Sequence, residues 1–292
     1  MRYSLAAIAA IAASVQAHGV ITQVQGANGV NMPGLSVQDG TPRDCASPLC
    51  GSEADTSIIR AGEMGGKASA LGRTQGGGPV DAGAAIAMFM AGGAGGAATG
   101  AGAAANNKRG LLDALTGGAG GAGGAGAASA AGTKTPKGTV EQGVAAAAGT
   151  GASTGLPTTA DDGTITMTFH QVNQDGAGAL TAQIDPTSGG TDPAAFQDAT
   201  VTQNVPGIGI GGLSAASTMD FPVKVQMPAG MVCQGTAGGA TNVCIVRMQN
   251  AALAGPFGGS GAVTQSAAAK KRAVEYNLRK RHMARGILGK PE

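Results

Sequence analysis

Two of the chain's three histidines, His18 and His170, have the chemistry and the positions to share a metal ion. His18 becomes the first residue of the mature chain if a leader is cleaved after Ala17. An N-terminal histidine offers a metal two nitrogens, the α-amine and the imidazole, and His170 would add a second imidazole. Three nitrogen donors in a T-shaped arrangement suit Cu(II). The sequence therefore predicts a copper site at these two residues.

The first 17 residues have the features of a secretory signal peptide. Arg2 supplies an early positive charge, residues 5–15 are apolar, and Val15 and Ala17 are small residues three and one before the cut. This segment is too short to span a bilayer. We therefore expect a secreted, extracellular protein that begins at His18.

Both histidines also have ordinary explanations. His18 could follow a cleavage site by chance, and a single histidine at a strand end, such as His170, is more often a hydrogen-bonded surface or core residue. His282 lies between Arg281 and Met283 in a basic tail. We do not expect His282 to take part in the site.

The elements that must position these residues are predicted to be β-strands. Residues 163–170 alternate polar and apolar side chains, which places Ile165, Met167 and Phe169 on one face and His170 on the other, at the strand's end. Turn residues separate further short strands, predicted at 19–24, 180–184, 200–203, 221–227, 243–248 and 261–263. We expect an all-β fold, an immunoglobulin-like β-sandwich with long loops.

Composition predicts a long low-complexity insertion within that sandwich. The chain has 292 residues, of which 53 are glycine, and Gly and Ala dominate from about residue 82 to residue 157. Such a segment buries little apolar area, and its glycines lose much conformational entropy on ordering. We predict that it is unstructured apart from a short helix at 109–115, and that residues 18–266 form a single domain around it.

Charge is unevenly distributed along the chain. Eight of the 19 Lys and Arg residues lie in residues 268–292, against two acidic residues, Glu275 and Glu292. A basic tail could bind nucleic acid or an anionic surface. In a secreted chain a solvated, protease-sensitive tail is the simpler interpretation. We therefore predict that residues 267–292 are disordered and that the protein is a monomer with no nucleic-acid or membrane partner.

Four cysteines in a secreted chain indicate two disulfides. Three pairings exist, and we predict the two local bonds, Cys45 with Cys50 and Cys233 with Cys244. The Cys45–Cys50 spacing could also form half of a zinc site. No second thiol pair or nearby histidine completes such a site.

A secreted chain that starts with His-Gly and carries a second histidine on a strand resembles the lytic polysaccharide monooxygenases, whose copper sits in a histidine brace on a β-sandwich. The resemblance implies that His18 and His170 are the copper ligands. It also implies that Phe257, three residues before Ser260, fills the axial side of the copper. Ser260 departs from the family pattern, which has Cys there, and ordinary core packing would also explain Phe257.

The same resemblance implies a glutamine or glutamate beside the copper that positions oxygen species. Gln171, Gln174 and Gln249 are available for this role, and Gln171, next to His170, is the candidate we name. Solvent-facing positions would explain all three equally.

Longer motifs resemble the fungal Gas/Mas appressorial family, also called Egh16-like. They are His18-Gly-Val-Ile-Thr-Gln-Val-Gln-Gly-Ala-Asn-Gly-Val, Gly40-Thr-Pro-Arg-Asp, Asp55-Thr-Ser-Ile-Ile-Arg, Gly72-Arg-Thr-Gln-Gly-Gly-Gly-Pro-Val-Asp and His170-Gln-Val-Asn-Gln-Asp-Gly-Ala-Gly. The resemblance implies a secreted fungal protein associated with appressoria and with virulence or host penetration. Family membership leaves the reaction open.

Two functions from different classes follow. The first is copper-dependent oxidation of a cell-wall polysaccharide with an external reductant. The second is a non-catalytic secreted effector or wall-associated protein. Trp is absent and only two Tyr and five Phe are present, which argues against crystalline cellulose or chitin and favours a soluble or matrix glycan. A hydrolase is a weaker third hypothesis, because Asp161, Asp162 and Asp220 show no acid–base pairing across a cleft and no Gly-x-Ser-x-Gly motif accompanies a histidine.

Overall fold

A computed structural model of the chain describes residues 18–91, 128–129, 131–174, 176–207, 214, 216–252 and 254–288. The predicted signal peptide and the predicted helix at 109–115 lie outside these residues. Within the described part, no helix is long and apolar enough to cross a membrane.

Strands dominate the described residues. In chain order they are β1 (Gly19–Gln25), β2 (Asn31–Pro33), β3 (Ser57–Ile58), β4 (Arg73–Thr74), β5 (Gly78–Pro79), β6 (Ala128–Ser129), β7 (Thr133–Lys134), β8 (Thr164–Gln171), β9 (Thr181–Asp185), β10 (Gln197–Asn204), β11 (Met219–Gln226), β12 (Gly235–Ala237), β13 (Ala240–Gln249) and β14 (Phe257–Thr264). The helices are α1 (Ala82–Ala91), α2 (Gly143–Ala147), α3 (Gly151–Thr154) and α4 (Ala267–Leu288), with short 3-10 turns at Pro48–Cys50, Ala61–Glu63 and Pro193–Ala195.

The strands form one hydrogen-bonded sheet in the order β2-β1-β8-β11-β10-β9-β13-β14-β3-β4-β5, with β12 paired to β13, β6 to β10 and β7 to β11. Strand β10 links two halves of this sheet: residues 197–199 pair with β9, and residues 200–203 pair with β11. Only the β6–β10 pair among these strands is parallel. The antiparallel architecture confirms the all-β prediction, whereas the immunoglobulin-like arrangement stays a prediction.

The sheet curls so that β1 packs against β14. Glycines in β14 allow this close approach, because a Cβ atom on Gly259 would lie 2.5 Å from the Ile21 backbone nitrogen and one on Gly261 would lie 2.2 Å from the Val24 side chain. Between the two halves lies an apolar core that includes Ile21 and Phe169. This packing holds β1, β8 and β14 in fixed relation.

Both ends of the predicted low-complexity insertion are ordered. Ile86 and Phe89 of α1 pack in a second core, together with Leu156 and Ile245. The prediction that residues 82–157 lack structure is therefore wrong for residues 82–91 and 131–157. The reason is tertiary, since few apolar side chains among many Gly and Ala residues are enough when each is fully buried.

The tail predicted to be disordered forms helix α4. The Ser266 hydroxyl accepts a hydrogen bond from the Ala269 backbone nitrogen at 3.1 Å, as an N-cap residue does. Ala269 and Ala273 are buried against the body of the protein. Capping, docking and a run of Ala, Lys, Arg and Leu, which favour helix, together outweigh the charge repulsion along this segment.

Both predicted disulfides are present, and they occupy different surroundings. Cys45 and Cys50 are bonded in an exposed loop, whereas Cys233 and Cys244 are bonded within the apolar core. The described residues contain no free cysteine, so the thiols have no metal-binding role in this fold.

Candidate metal centre

The two predicted histidine ligands lie at the same end of three neighbouring strands. Strand β8 runs between β1 and β11, and His170 pairs with Val20 on one side and with Asp220 on the other. His18 directly precedes β1, and its carbonyl oxygen accepts a hydrogen bond from the Val172 backbone nitrogen at 3.0 Å. Because alternate residues of a strand share a face, His18, His170 and Asp220 lie on the face opposite Phe169.

His170 is fully buried and partly hydrogen-bonded. Its Nδ1 lies 2.7 Å from a carboxylate oxygen of Asp220, whose side chain remains 40% exposed. Its Nε2 has no hydrogen-bond partner among the described residues. A buried polar atom without a partner is costly, so this nitrogen is a candidate position for a ligand.

His18 is also almost completely buried, and its contacts include Asn173, Glu53 and Phe257. Its backbone nitrogen donates to the Asn173 side-chain oxygen at 2.9 Å. Its Nδ1 lies 3.2 Å from a carboxylate oxygen of Glu53. Its ring lies against the Phe257 ring, with 4.2 Å between the two centroids and 38° between the planes.

Glu53 and Asn173 contact each other as well as His18. The Asn173 side-chain nitrogen donates to Glu53 Oε1 at 3.1 Å, the same oxygen that faces His18. Burial raises the pKa of the Glu53 carboxyl to about 7, while the hydrogen bond from Asn173 acts in the opposite direction. We call His18, Glu53, Asn173, His170 and Asp220 the histidine cluster.

A second buried group, the arginine clamp, holds the loop that carries Glu53. It consists of Arg43, Asp55 and Glu141. Arg43 donates two hydrogen bonds to Asp55, at 3.0 and 2.5 Å, and two to Glu141, at 3.0 and 2.8 Å. Burial alone would lower the pKa of Arg43, but the two carboxylates outweigh it and raise that pKa. The clamp fixes the loop two residues away from Glu53.

Of the two other predicted site residues, one contacts His18 and the other points away from His170. Phe257, at the start of β14, contacts His18 as described above. Gln171 lies beside His170 in sequence but faces the other side of β8. Its side-chain nitrogen donates to the backbone oxygens of Asn173 at 2.9 Å and Ala216 at 2.6 Å. It therefore holds the turn that carries Asn173, and its carboxamide nitrogen is used there.

Sequence reasoning missed the roles of Glu53, Asn173 and Asp220. Glu53 is 35 residues from His18, and Asn173 is 155 residues from it. No local pattern links residues so far apart. Asp220 had a weak signal, since it follows the alternation of β11 on the face opposite the buried Phe221.

A metal at this site would have few protein side chains as ligands. Within the described ranges, no group of three or more His, Cys, Asp or Glu side chains could hold a metal ion. A site of the brace type needs only two imidazoles, with the backbone nitrogen of the first residue as the third donor. In the full chain that nitrogen of His18 is a peptide amide, and it becomes an amine only after cleavage behind Ala17.

Comparison with known proteins places the chain in one protein family. Residues 16–258 match the family described as Egh16-like virulence factor. The chain is 60% identical over 293 residues to the appressoria-specific virulence factor GAS2 of Pyricularia oryzae, covering 98% of this chain and 97% of that protein. It is 40% identical over 135 residues to the appressoria-specific virulence factor GAS1 of Pyricularia oryzae, covering 44% and 52% respectively. No solved structure matches significantly.

Proposed function

Because the chain belongs to the Egh16-like virulence factor family, we propose that it is a secreted fungal protein that acts as a virulence factor of the appressorium. Removal of residues 1–17 would release a mature chain that begins at His18. We also propose that this mature chain binds one copper ion through His18 and His170, on an immunoglobulin-like sandwich scaffold.

The hydrogen bonding of His170 is the observation that supports copper binding most strongly. When Nδ1 donates its proton to the Asp220 carboxylate, Nε2 carries a lone pair, and this is the atom without a partner in the described structure. Histidines that bind metals commonly donate their other ring nitrogen to a carboxylate in this way, which fixes the tautomer and the ring orientation. His18 would supply its amine and its imidazole.

The residues around His18 have separate tasks in this proposal. Asn173 holds the His18 nitrogen, and Phe257 covers one face of the His18 ring. Glu53 lies beside the His18 imidazole and offers it a carboxylate. Copper bound by nitrogen donors supplies one-electron chemistry between Cu(II) and Cu(I).

Binding without polysaccharide turnover is the role that the geometry supports best. His18 is 4% exposed and His170 is 0% exposed, so the described structure offers a polymer chain no direct approach to either ring. Oxidation of a soluble or matrix wall polysaccharide is the second candidate. One contact favours it, because the Phe257 ring, which the resemblance to polysaccharide monooxygenases singles out, lies against the His18 ring.

A Cu(II) titration followed by electron paramagnetic resonance tests copper binding. The protein begins at His18, and a matched version carries one additional N-terminal residue. We expect one tightly bound Cu(II) with nitrogen couplings, lost in the extended version and in His170→Ala. Weak binding that is indifferent to the extension would exclude the copper proposal and leave the virulence role.

The same copper-loaded protein separates the two candidate roles. It is incubated with soluble and matrix glycans, ascorbate and hydrogen peroxide, and the products are analysed for oxidised chain ends. We expect no oxidised products beyond those of free copper. Reductant-dependent oxidised ends that disappear in His170→Ala would replace the binding role with the catalytic one.

A further inference from the structure

Helix α4 extends beyond the body of the protein. Its first half is docked: Ala269 and Ala273 are buried, and the Asn277 side chain donates to the Gly230 backbone oxygen at 2.8 Å. Beyond Asn277 the environment changes, because every residue from 278 to 283 is exposed. Residues 278–283 of the helix therefore present their side chains to solvent rather than to the core.

This helix carries a large excess of positive charge, whereas the rest of the mature chain before it carries an excess of negative charge. Residues 267–288 hold seven basic residues and one acidic residue, and residues 18–266 hold ten basic and fifteen acidic residues. Arg272 shares a cleft with Asp162 and Asp198. Among the described ion pairs within 4 Å, none involves Arg279, Lys280 or Arg281. These three cations are exposed and available to a partner.

The arrangement of these side chains around the helix restricts the kind of partner. Successive residues are rotated by about 100°, so Arg279, Lys280 and Arg281 cover more than half of the circumference. The exposed Leu278 and Met283 point about 140° apart and form no single apolar stripe. A helix that lies in a membrane interface needs one apolar face opposite a polar one. This helix lacks that division over residues 278–283.

We propose that helix α4 is a docking surface for an acidic polysaccharide, a chain of uronic acid residues. Such a polymer carries regularly spaced carboxylates and is flexible enough to follow cations on different sides of a helix. Charge complementarity favours it, because the negative excess of the rest of the protein directs a polyanion to this helix and away from other surfaces. The surface is independent of the copper site and would operate whether or not the protein binds metal.

Binding of fluorescently labelled polygalacturonate to the chain from His18 tests this proposal. The helix variant carries Arg279→Gln, Lys280→Gln and Arg281→Gln, since Gln retains helix propensity. The matched control carries Lys67→Gln, Lys137→Gln and Lys224→Gln, three exposed cations on the body. Both variants lose the same charge. We expect the helix variant to bind at least about tenfold more weakly at low salt and the control to stay within about twofold of wild type.

Salt provides a second readout, because each cation that contacts a polyanion releases counterions. We expect a shallower dependence of log affinity on log salt in the helix variant only, with unchanged far-ultraviolet circular dichroism. Equal weakening in both triple variants would show that net charge alone drives binding and would overturn the proposal. So would stronger binding to phosphatidylglycerol vesicles than to polygalacturonate, or salt-sensitive dimerisation through the helix in sedimentation.

Discussion

The arginine clamp and the histidine cluster both centre on buried polar side chains, Arg43 and Asp55 in the clamp and His18 and His170 in the cluster, yet they satisfy their polar atoms to different degrees. In the clamp, Arg43 meets two carboxylates with four hydrogen bonds. In the histidine cluster, the fully buried His170 leaves Nε2 without a partner in the described structure. Burying polar atoms is costly in both groups. The hydrogen bonds of the clamp offset that cost, so its contribution to stability explains it, whereas the unpaired Nε2 of the histidine cluster needs another explanation. The copper binding proposed above would explain the difference.

Breaking the clamp should have the largest effect. Arg43→Met leaves Asp55 fully buried, and Glu141 partly buried, without their cation, so we expect the free energy of unfolding to fall by about 3–5 kcal/mol. Urea denaturation followed by circular dichroism measures this loss. Lys137→Met at an exposed position is the control, with an expected change within about 0.5 kcal/mol. Similar values for both variants would contradict a structural role for the clamp.

Asp220→Asn should weaken copper binding with little loss of stability. Asparagine keeps the size of the side chain but removes the charge that orients His170, and we expect about 10–100-fold lower Cu(II) affinity. Competition with a chelator of known affinity measures the change. Because Asp220 is 40% exposed, the free energy of unfolding of the variant should differ from that of wild type by less than about 1 kcal/mol. Unchanged affinity would refute the positioning role of Asp220 while leaving His170 as a ligand.

His170→Phe should affect stability less than Arg43→Met does, although His170 is completely buried. The substitution removes the unpartnered Nε2 and keeps a ring of similar size, and Asp220 can turn to solvent. We expect the free energy of unfolding to stay within about 1.5 kcal/mol of wild type. A loss as large as that of Arg43→Met would mean that His170 stabilises the fold as much as the clamp does. That result would contradict the proposed difference between the two groups.

Asp185 sharpens the comparison because several hydrogen bonds satisfy this buried carboxylate. Burial tends to raise its pKa, but hydrogen bonds from Ser188, Thr187 and Gly190 outweigh it and lower that pKa. A lowered folded-state pKa stabilises the fold above the unfolded value of about 3.9, and this contribution is lost as pH falls through the folded value. We expect the smallest of the four effects here, a loss of wild-type stability that is confined to acidic pH.

The measurement is urea denaturation between neutral pH and pH 3 for wild type and Asp185→Asn. Wild-type stability should decline more steeply than that of the variant below about pH 4. Parallel declines would show that Asp185 does not contribute to the acid sensitivity of the fold.

Local sequence signals were sufficient for much of the fold. The alternation at residues 163–170 predicted β8 and the face that His170 occupies, and six other predicted strands correspond to β1, β9, β10, β11, β13 and β14. Short spacing correctly paired both disulfides. These features depend on neighbours in sequence, where period and loop length carry the information.

The predictions for residues 267–288 and for the two ends of the insertion, 82–91 and 131–157, were wrong for a shared reason. Composition describes the average residue, whereas helix α4 depends on Ala269 and Ala273 docking against the body, and α1 depends on Ile86 and Phe89 entering the second core. Few side chains decide both outcomes. A prediction based on average glycine content or average charge cannot detect them.

The sequence by itself determined the strand that carries His170 and the two disulfides. It also predicted His18 and His170 as metal ligands and a leader that would make His18 a terminus, and these stay predictions. Only the tertiary structure decided that Glu53, Asn173 and Phe257 surround His18, that Asp220 orients His170, and that both rings are buried. The physical reason is sequence separation. These contacts join residues 35 to 239 positions apart around His18 and 50 apart at His170, and the curled sheet alone brings such residues together.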